Sequence, residues 1–478
     1  MHSEEFRVGD LTEVRGKWWN PLSKERVTSG TLTLSDDEPV LTYDYRSHGS
    51  EGDRIVLDDT VHGLLDDGRA VTLWDWRVGG PKSTKRYVHD RDLTEDQRTF
   101  THAVLGAHCQ SIEESQFDAV RVRFKHLKAL LRTEEVLAMD AEPSPSGTAG
   151  FMWGDDAPYS IEVSLHDRPL LEYRKYPSED EPHECFSRFL GDEAAVVFTS
   201  DRPASYEIYD QLLYNMQLLT AFTYQAALPR TSWEVRLPGS KDWLTVATTQ
   251  SLKTPTKRSH FFPERLVVSG EDTAPETLIA RWFEAVNDLY PLPQVLAIQF
   301  LSPGGVMEAK LLIGLSALEK AHSVLPFKPE KFPDDDLSAL KKNLKRTLRE
   351  WLDETSIDSD HRQRYRAWLS ESLHNRKTFA ASLAETLSFL EPGTLAALGI
   401  QPDEWIQETK KARNSLAHTA SHVPRPDSAG GSRIRRLDAQ NRALLSLIVR
   451  KWMVNSSPPP ESIKFIFPEV AHWTSFSK

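Results

Sequence analysis

The feature that most constrains the fold is a change in hydrophobic periodicity near residues 269–276. Before it, short runs of alternating apolar and polar residues, separated by turn residues, predict β-strands. After it, apolar residues recur every three or four positions, which predicts helices. We therefore expect an α+β multidomain protein, in which a β-rich, sandwich-like or barrel-like N-terminal region precedes an all-α helical bundle.

The chain has 478 residues, which is more than one hydrophobic core usually serves. A loop with two prolines at 141–147 separates two groups of predicted strands, and residues 206–224 are predicted to form a helix that begins after Ser205 and covers a sheet. The predicted domains are a β-rich subdomain (1–140), a second β-rich subdomain with its covering helix (141–272) and an α-helical domain (273–478).

The C-terminal domain contains seven segments with helical spacing. They are 277–289, 307–322, 336–352, 361–369, 378–390, 402–417 and 438–453. Between the last two, the prolines and glycines of 421–432 predict a loop. Arg433, Arg435 and Arg436 are predicted to extend this loop and to contact RNA.

Charge and composition narrow the class of protein. The net charge is −12, but residues 271–478 carry 27 basic and 26 acidic residues, so the acidity is N-terminal. No apolar run approaches the roughly 20 residues that span a bilayer, and the first residues lack the pattern of a secretory signal. A cytoplasmic protein without membrane contact is expected. The two cysteines, Cys109 and Cys185, form no metal-ligand spacing, so no metal or cofactor is predicted.

The segment with the most specific chemistry is Arg413-Asn414-x3-His418, at the end of a predicted helix. Arginine offers a planar fork of donors that matches phosphate oxygens, and histidine transfers protons near neutral pH. A second Arg-x4-His pair, Arg121 and His126, lies in an alternating run that predicts a strand, so the two side chains would face opposite ways. We interpret that second pair as coincidental.

Spacing alone also permits a structural role, in which Arg413 caps the helix and His418 interacts with its dipole. The two residues are about 140° apart around an ideal helix. One copy of the helix therefore brings both into one site only if its end frays. A symmetric dimer solves this geometry, because it apposes two Arg/His sets across a two-fold axis.

The arrangement of Arg413-Asn414-x3-His418, after a helix with Ala317-Leu318-Glu319-Lys320, resembles the HEPN ribonuclease superfamily. A long β-rich N-terminal region with Gly30-Thr31-Leu32 and Gly63-Leu64-Leu65 further resembles ApeA-type anti-phage defence proteins. The resemblance implies a HEPN-like helical bundle and metal-independent cleavage of RNA in abortive infection. His418 would be the general acid or base, Arg413 would hold the scissile phosphate, and Asn414 would orient either of them.

The same resemblance implies the partners. RNA is the expected substrate, with host tRNA favoured, and a homodimer would form through the helical domain. The N-terminal region would be a sensor that restrains the nuclease until a phage-derived protein or nucleic acid triggers it.

Several alternatives stay open on the sequence. Glu319 and His322 either line the same cleft or have structural roles. The basic runs 341–346 and 362–366 either follow an RNA backbone or form solvated helix faces. The whole chain could also be a non-catalytic binding or RNA-binding scaffold that dimerises through its helices. A carbohydrate-binding sandwich, suggested by Trp18 and Trp19, is disfavoured by the lack of a secretory signal.

Overall fold

The computed structural model describes most of the chain in nineteen segments. They are residues 12–34, 38–46, 59–74, 83–87, 93–124, 127–130, 148–153, 157–164, 169–176, 183–190, 195–228, 230–248, 266–301, 304, 306–327, 333–355, 357–372, 377–418 and 429–474. His126, the partner in the coincidental Arg-x4-His pair, lies outside them.

The first half of the chain forms strands. Within the described residues these are β1 (Thr12–Asn20), β2 (Ser23–Leu34), β3 (Val40–Arg46), β4 (Thr60–Leu65), β5 (Ala70–Trp74), β6 (Ser83–Tyr87), β7 (Leu93–Thr99), β8 (His102–Leu105), β9 (Gln116–Phe124), β10 (Thr148–Trp153), β11 (Ala157–Ser164), β12 (Pro169–Tyr176), β13 (His183–Leu190), β14 (Ala195–Ser205), β15 (Arg230–Arg236) and β16 (Trp243–Thr248).

Fourteen of these strands form one antiparallel sheet and β12 and β13 form a separate hairpin. The order in the sheet is β10-β11-β14-β9-β15-β16-β8-β5-β4-β1-β2-β3-β7-β6. Strand β9 of the first predicted subdomain pairs with β14 and β15 of the second, so one sheet contains strands of both predicted groups. The strand predicted around Arg121 is confirmed as β9.

Strand alternation decides which side chains enter the core. Trp18 is fully buried, whereas its neighbour Trp19 points to the other face and is partly exposed. The Trp18 indole lies against Gly63 of the paired strand β4 and donates from Nε1 to the Gly30 carbonyl at 3.3 Å. A cluster of apolar residues from β1 to β8, including Leu32 and Leu73, surrounds it. Burial of this cluster fixes the register of the first strands.

The long helix that follows β14 has the predicted boundaries. This helix, α2 (Tyr206–Tyr224), follows Ser205, which occupies the N-cap position but makes no side-chain capping bond. Its Tyr209 hydroxyl donates to the Phe117 carbonyl in β9 at 3.2 Å. The Trp282 indole donates to the Asn215 carbonyl of α2 at 2.9 Å, so a second helix packs on the first.

The second half of the chain is helical. Its described helices are α3 (Pro275–Asp288), α4 (Leu292–Leu301), α5 (Met307–Val324), α6 (Asp334–Glu354), α7 (Ser359–Ser372), α8 (Phe379–Ser388), α9 (Pro392–Ala397), α10 (Pro402–His418), α11 (Ala429–Val454), α12 (Pro460–Ile466) and α13 (Pro468–Thr474). The short helix α1 (Leu127–Leu130) lies in the first half, between β9 and β10. A β-rich region followed by a helical region confirms the α+β fold class.

One predicted boundary is wrong. The helix predicted at 438–453 begins at Ala429, so Arg433, Arg435 and Arg436 are helical residues rather than loop residues. The turn signals of Gly430 and Gly431 are overridden because Ile434 and Leu437 are buried one turn apart and continue the apolar face of α11. Burial of that face contributes more than the intrinsic helix preference of the first turn.

The chain divides into two compact units. The first contains residues 1–287 and 297–303 and includes the sixteen described strands, and the second contains 288–296 and 304–478. In the second unit α5 packs against α8, α10 and α11, with Leu311, Leu315 and Leu318 buried on α5. The predicted domain boundaries at 140 and 272 stay predictions.

Candidate functional site

The helix that carries the Arg/His segment, α10, begins with features that its sequence dictates. Pro402 fits the first turn, and Asp403 and Glu404 lie near the positive end of the helix dipole. Trp405 and Ile406 are buried, and their burial orients the helix against its neighbours. Arg413 then falls near its C-terminal end, half-buried and within reach of α5 and α8.

Three helices meet at the Arg413 guanidinium. Its Nη2 donates to Oε2 of Glu319 on α5 at 2.8 Å, and its Cζ lies 4.6 Å from the centroid of the Phe379 ring on α8. The carboxylate and the ring approach the flat guanidinium group differently, the first as an acceptor and the second through its π face. Together they define the position of the group while leaving 35% of the Arg413 side chain exposed.

One turn along α5 a second polar cluster joins α5 to α8. His322 is buried, and its Nε2 lies 2.7 Å from Oε2 of Glu385. The Lys377 ammonium donates to both oxygens of the same carboxylate at 2.6 Å. Hydrogen bonds from Lys377, and then from His322, hold the pKa of Glu385 below its usual value. An ionised carboxylate only accepts, so Nε2 of His322 is the donor in this contact.

This second cluster supports the first. Lys377 and Thr378 precede α8, and the Thr378 side chain accepts from the Ala381 amide to cap the helix. Phe379 is the first residue of that helix. The Lys377–Glu385–His322 contacts therefore fix the end of α8 from which Phe379 reaches Arg413.

The other two predicted site residues of α10 are Asn414 and His418. Asn414 is exposed on α10. His418 is the last residue of that helix, and its side chain lies outside the described residues. The structure thus brings Arg413 together with Glu319 and Phe379, and the predicted roles of Asn414 and His418 stay predictions.

The three arginines predicted to contact RNA lie on α11, alongside α10. Arg436 Nη2 donates to the Glu408 carboxylate, and Arg433 Nε lies 3.8 Å from the same group. Arg435 is exposed. Glu408 of α10 therefore neutralises part of this basic segment, and contact with RNA stays a prediction for all three.

Sequence reasoning missed Phe379, Lys377 and Glu385. No spacing rule connects them to Arg413, because the contacts cross between helices that are distant in the chain. Glu319 and His322 were identified as candidates, and the three-residue interval between them places both on one face of α5.

The described residues offer neither a metal site nor a membrane span. They contain no group of three histidine, cysteine or acidic residues that could hold a metal ion. None of the described helices combines the length and apolar character needed to cross a bilayer.

Comparison with known proteins identifies the N-terminal part of the chain. No curated protein and no solved structure matches this chain. Residues 13–262, more than half of the chain, match the family described as ApeA N-terminal domain 1. This match agrees with the resemblance that Gly30-Thr31-Leu32 and Gly63-Leu64-Leu65 indicated in the sequence. The chain belongs to the ApeA family.

Proposed function

We propose that this protein is an endoribonuclease of the HEPN type that acts in anti-phage defence. Membership of the ApeA family associates the chain with such defence. The ribonuclease activity is inferred from Arg413, Asn414 and His418 at the end of α10. Host RNA is the proposed substrate, with tRNA favoured.

The observation that carries the proposal is the state of the Arg413 guanidinium. It is held by Glu319 and Phe379 and is still partly exposed. The contact with Glu319 uses one nitrogen, Nη2, of a group that has five N–H donors. A phosphate can therefore approach the remaining donors without release of the group from its support.

The proposed reaction divides the work between two residues. Arg413 binds the non-bridging oxygens of the scissile phosphate and offsets the charge that develops in the pentacoordinate transition state. His418 takes the proton of the attacking ribose 2′-hydroxyl or gives one to the leaving 5′-oxygen. The 2′-oxygen forms a bond to phosphorus as the bond to the 5′-oxygen breaks. The products are a 2′,3′-cyclic phosphate and a 5′-hydroxyl.

A homodimer through the helical unit is part of the proposal. Arg413 and His418 are about 140° apart around α10, so a single regular helix directs them to different sides. Apposing two α10 helices across a two-fold axis places Arg413 of one copy near His418 of the other. The N-terminal unit would act as the sensor that releases this nuclease in response to a phage-derived trigger.

The test is RNA integrity in cells that express the protein, with and without phage challenge. Wild type is compared with Arg413→Ala, His418→Ala and the matched control Lys411→Ala, which removes an exposed charge from the same helix. Sequencing that captures cyclic-phosphate ends locates the cuts. We expect discrete cleavage in wild type and control and none in the other two variants.

The opposite outcome is equally informative. Phage protection that survives in both Arg413→Ala and His418→Ala would overturn the catalytic proposal. It would leave the alternative of a non-catalytic scaffold whose helical unit dimerises or binds RNA.

A further inference from the structure

Helix α6 carries a row of cations on one side. Lys341, Lys345 and Arg349 follow one another at four-residue spacing, and Lys342 and Arg346 lie beside them. Residues four apart lie on the same side of a helix, and the sequence from 341 to 349 contains no acidic residue. The row extends along the helix for about 12 Å. We call these five residues the basic stripe.

The basic stripe is available to a ligand. Four of its members are exposed and Lys341 is half-buried. Among the described residues its one ion pair is a long contact of 3.8 Å between Arg346 and Glu350. Other cations of the same unit are differently placed, since Arg413, Arg436 and Lys451 all contact carboxylates.

The apolar side of α6 holds the stripe in place. Leu337 and Leu352 are buried, and they anchor the helix before and after the stripe along the chain. Helix α7 packs along α6, with the Trp351 and Tyr365 rings in edge-to-face contact at 5.7 Å. The cations are thus presented by a supported helical hairpin and not by a free chain end.

We infer that the basic stripe binds the phosphate backbone of the RNA substrate. This inference rests on the proposed function, because that function makes RNA the ligand of the helical unit. The helical region carries almost as many acidic as basic residues, so RNA binding there requires a local concentration of cations. Cations repeated at four-residue spacing match the repeating charge of a phosphate backbone and suit a sequence-independent contact.

The test measures binding separately from cleavage. His418→Ala protein is titrated against labelled total tRNA at several salt concentrations. It is compared with the same protein carrying Lys341→Gln, Lys345→Gln and Arg349→Gln. The matched control carries Lys24→Gln, Arg26→Gln and Lys241→Gln, three exposed cations of the first unit.

We expect the stripe variant to bind at least about tenfold more weakly at low salt, with a salt dependence shallower by about two to three units of log K against log salt. The control should bind like its parent. Equal affinity of stripe variant and control would overturn the inference, as would absence of tRNA binding by the parent. Loss of binding to phosphatidylserine vesicles without loss of tRNA binding would also overturn it and indicate a membrane ligand.

The two proposals fail in different ways. If wild type leaves cellular RNA intact while the stripe variant loses affinity for tRNA, the ribonuclease proposal falls and the binding site stands. If RNA is cut at Arg413-dependent and His418-dependent sites and the stripe variant binds normally, the ribonuclease proposal stands and the proposed binding site falls.

Discussion

The Arg413 guanidinium and the Glu319 carboxylate are 2.8 Å apart although 94 residues separate them in the chain. The contact joins α10 to α5 at the point where Phe379 of α8 lies under the same guanidinium. An exposed ion pair of this kind contributes little to stability. Its importance in the proposed nuclease lies in fixing the direction of a group that must meet a phosphate.

Replacement of Glu319 tests this positioning role. We expect Glu319→Ala to lower kcat for RNA cleavage by about tenfold or more with a smaller change in KM, because Arg413 loses its orientation but keeps its charge. Glu319→Gln keeps an acceptor for Nη2 and should recover much of the rate. The measurement is cleavage of purified tRNA under single-turnover and steady-state conditions.

Glu404→Ala, which removes an exposed acidic residue from α10, provides the control for the change in charge. Full activity of Glu319→Ala would show that Arg413 needs no partner on α5. A gain in activity would show instead that Glu319 inhibits Arg413 by occupying it.

The buried histidine of α5 should matter for stability. We expect His322→Ala to reduce the free energy of unfolding of the helical unit by about 2 kcal/mol, since it removes a hydrogen bond to a charged partner and leaves space beside Phe327. Urea denaturation followed by circular dichroism measures the change. His361→Ala, which affects an exposed histidine paired with Asp358, should cost well under half as much.

The fold class and most helices could be predicted because periodicity records burial locally. Tyr206–Tyr224 has the boundaries that its apolar spacing predicts. The start of α11 could not be predicted in this way. The glycines and prolines at 424–431 predict a loop, and only the structure shows that Ile434 is buried and continues the apolar face of the helix. Turn propensity and tertiary burial conflict there, and burial decides.

The candidate site could be predicted only in part. Arg413 carries a recognisable chemical pattern, and Glu319 lies on a helix that a bundle would bring near. Phe379 carries no such pattern, because its role depends on how α8 packs. The sequence Trp18-Trp19 shows the same limit, since either tryptophan could enter the core until the pairing with Gly63 is known.

The contact between Gly63 and Trp18 gives a sharp prediction for the N-terminal unit. A Cβ at residue 63 would overlap the Trp18 indole, which is fully buried and cannot move away. We expect Gly63→Ala to destabilise this unit by about 3 kcal/mol or more. Gly304→Ala, in the second unit, is the control for adding a methyl group where there is space, because no atom of the described residues lies within 4 Å of the added carbon. Thermal unfolding that is equal for the two variants would contradict the packing described for β1 and β4.

The N-terminal unit should also lose stability in mild acid through His62. The ring of His62 stacks on His108 with centroids 4.7 Å apart, and its Nε2 donates to the Cys109 carbonyl at 2.8 Å. Burial, opposed by this hydrogen bond, lowers the pKa of His62 from 6.5. The unfolded chain therefore binds the proton at a higher pH than the folded chain does. The stability that comes from keeping the His62 ring neutral is complete above pH 6.5. It is lost as the pH falls from there through the lower pKa of His62 in the folded chain.

The pH effect is measured as the difference in melting temperature between pH 7.5 and pH 5.5. Other groups titrate over this interval, so the comparison is with His62→Gln, whose amide can still donate to the Cys109 carbonyl but takes up no proton. We expect the variant to show a smaller loss of melting temperature than wild type. An equal loss in both proteins would mean that His62 is protonated as readily in the folded chain as in the unfolded one, and that its burial against His108 has no electrostatic consequence.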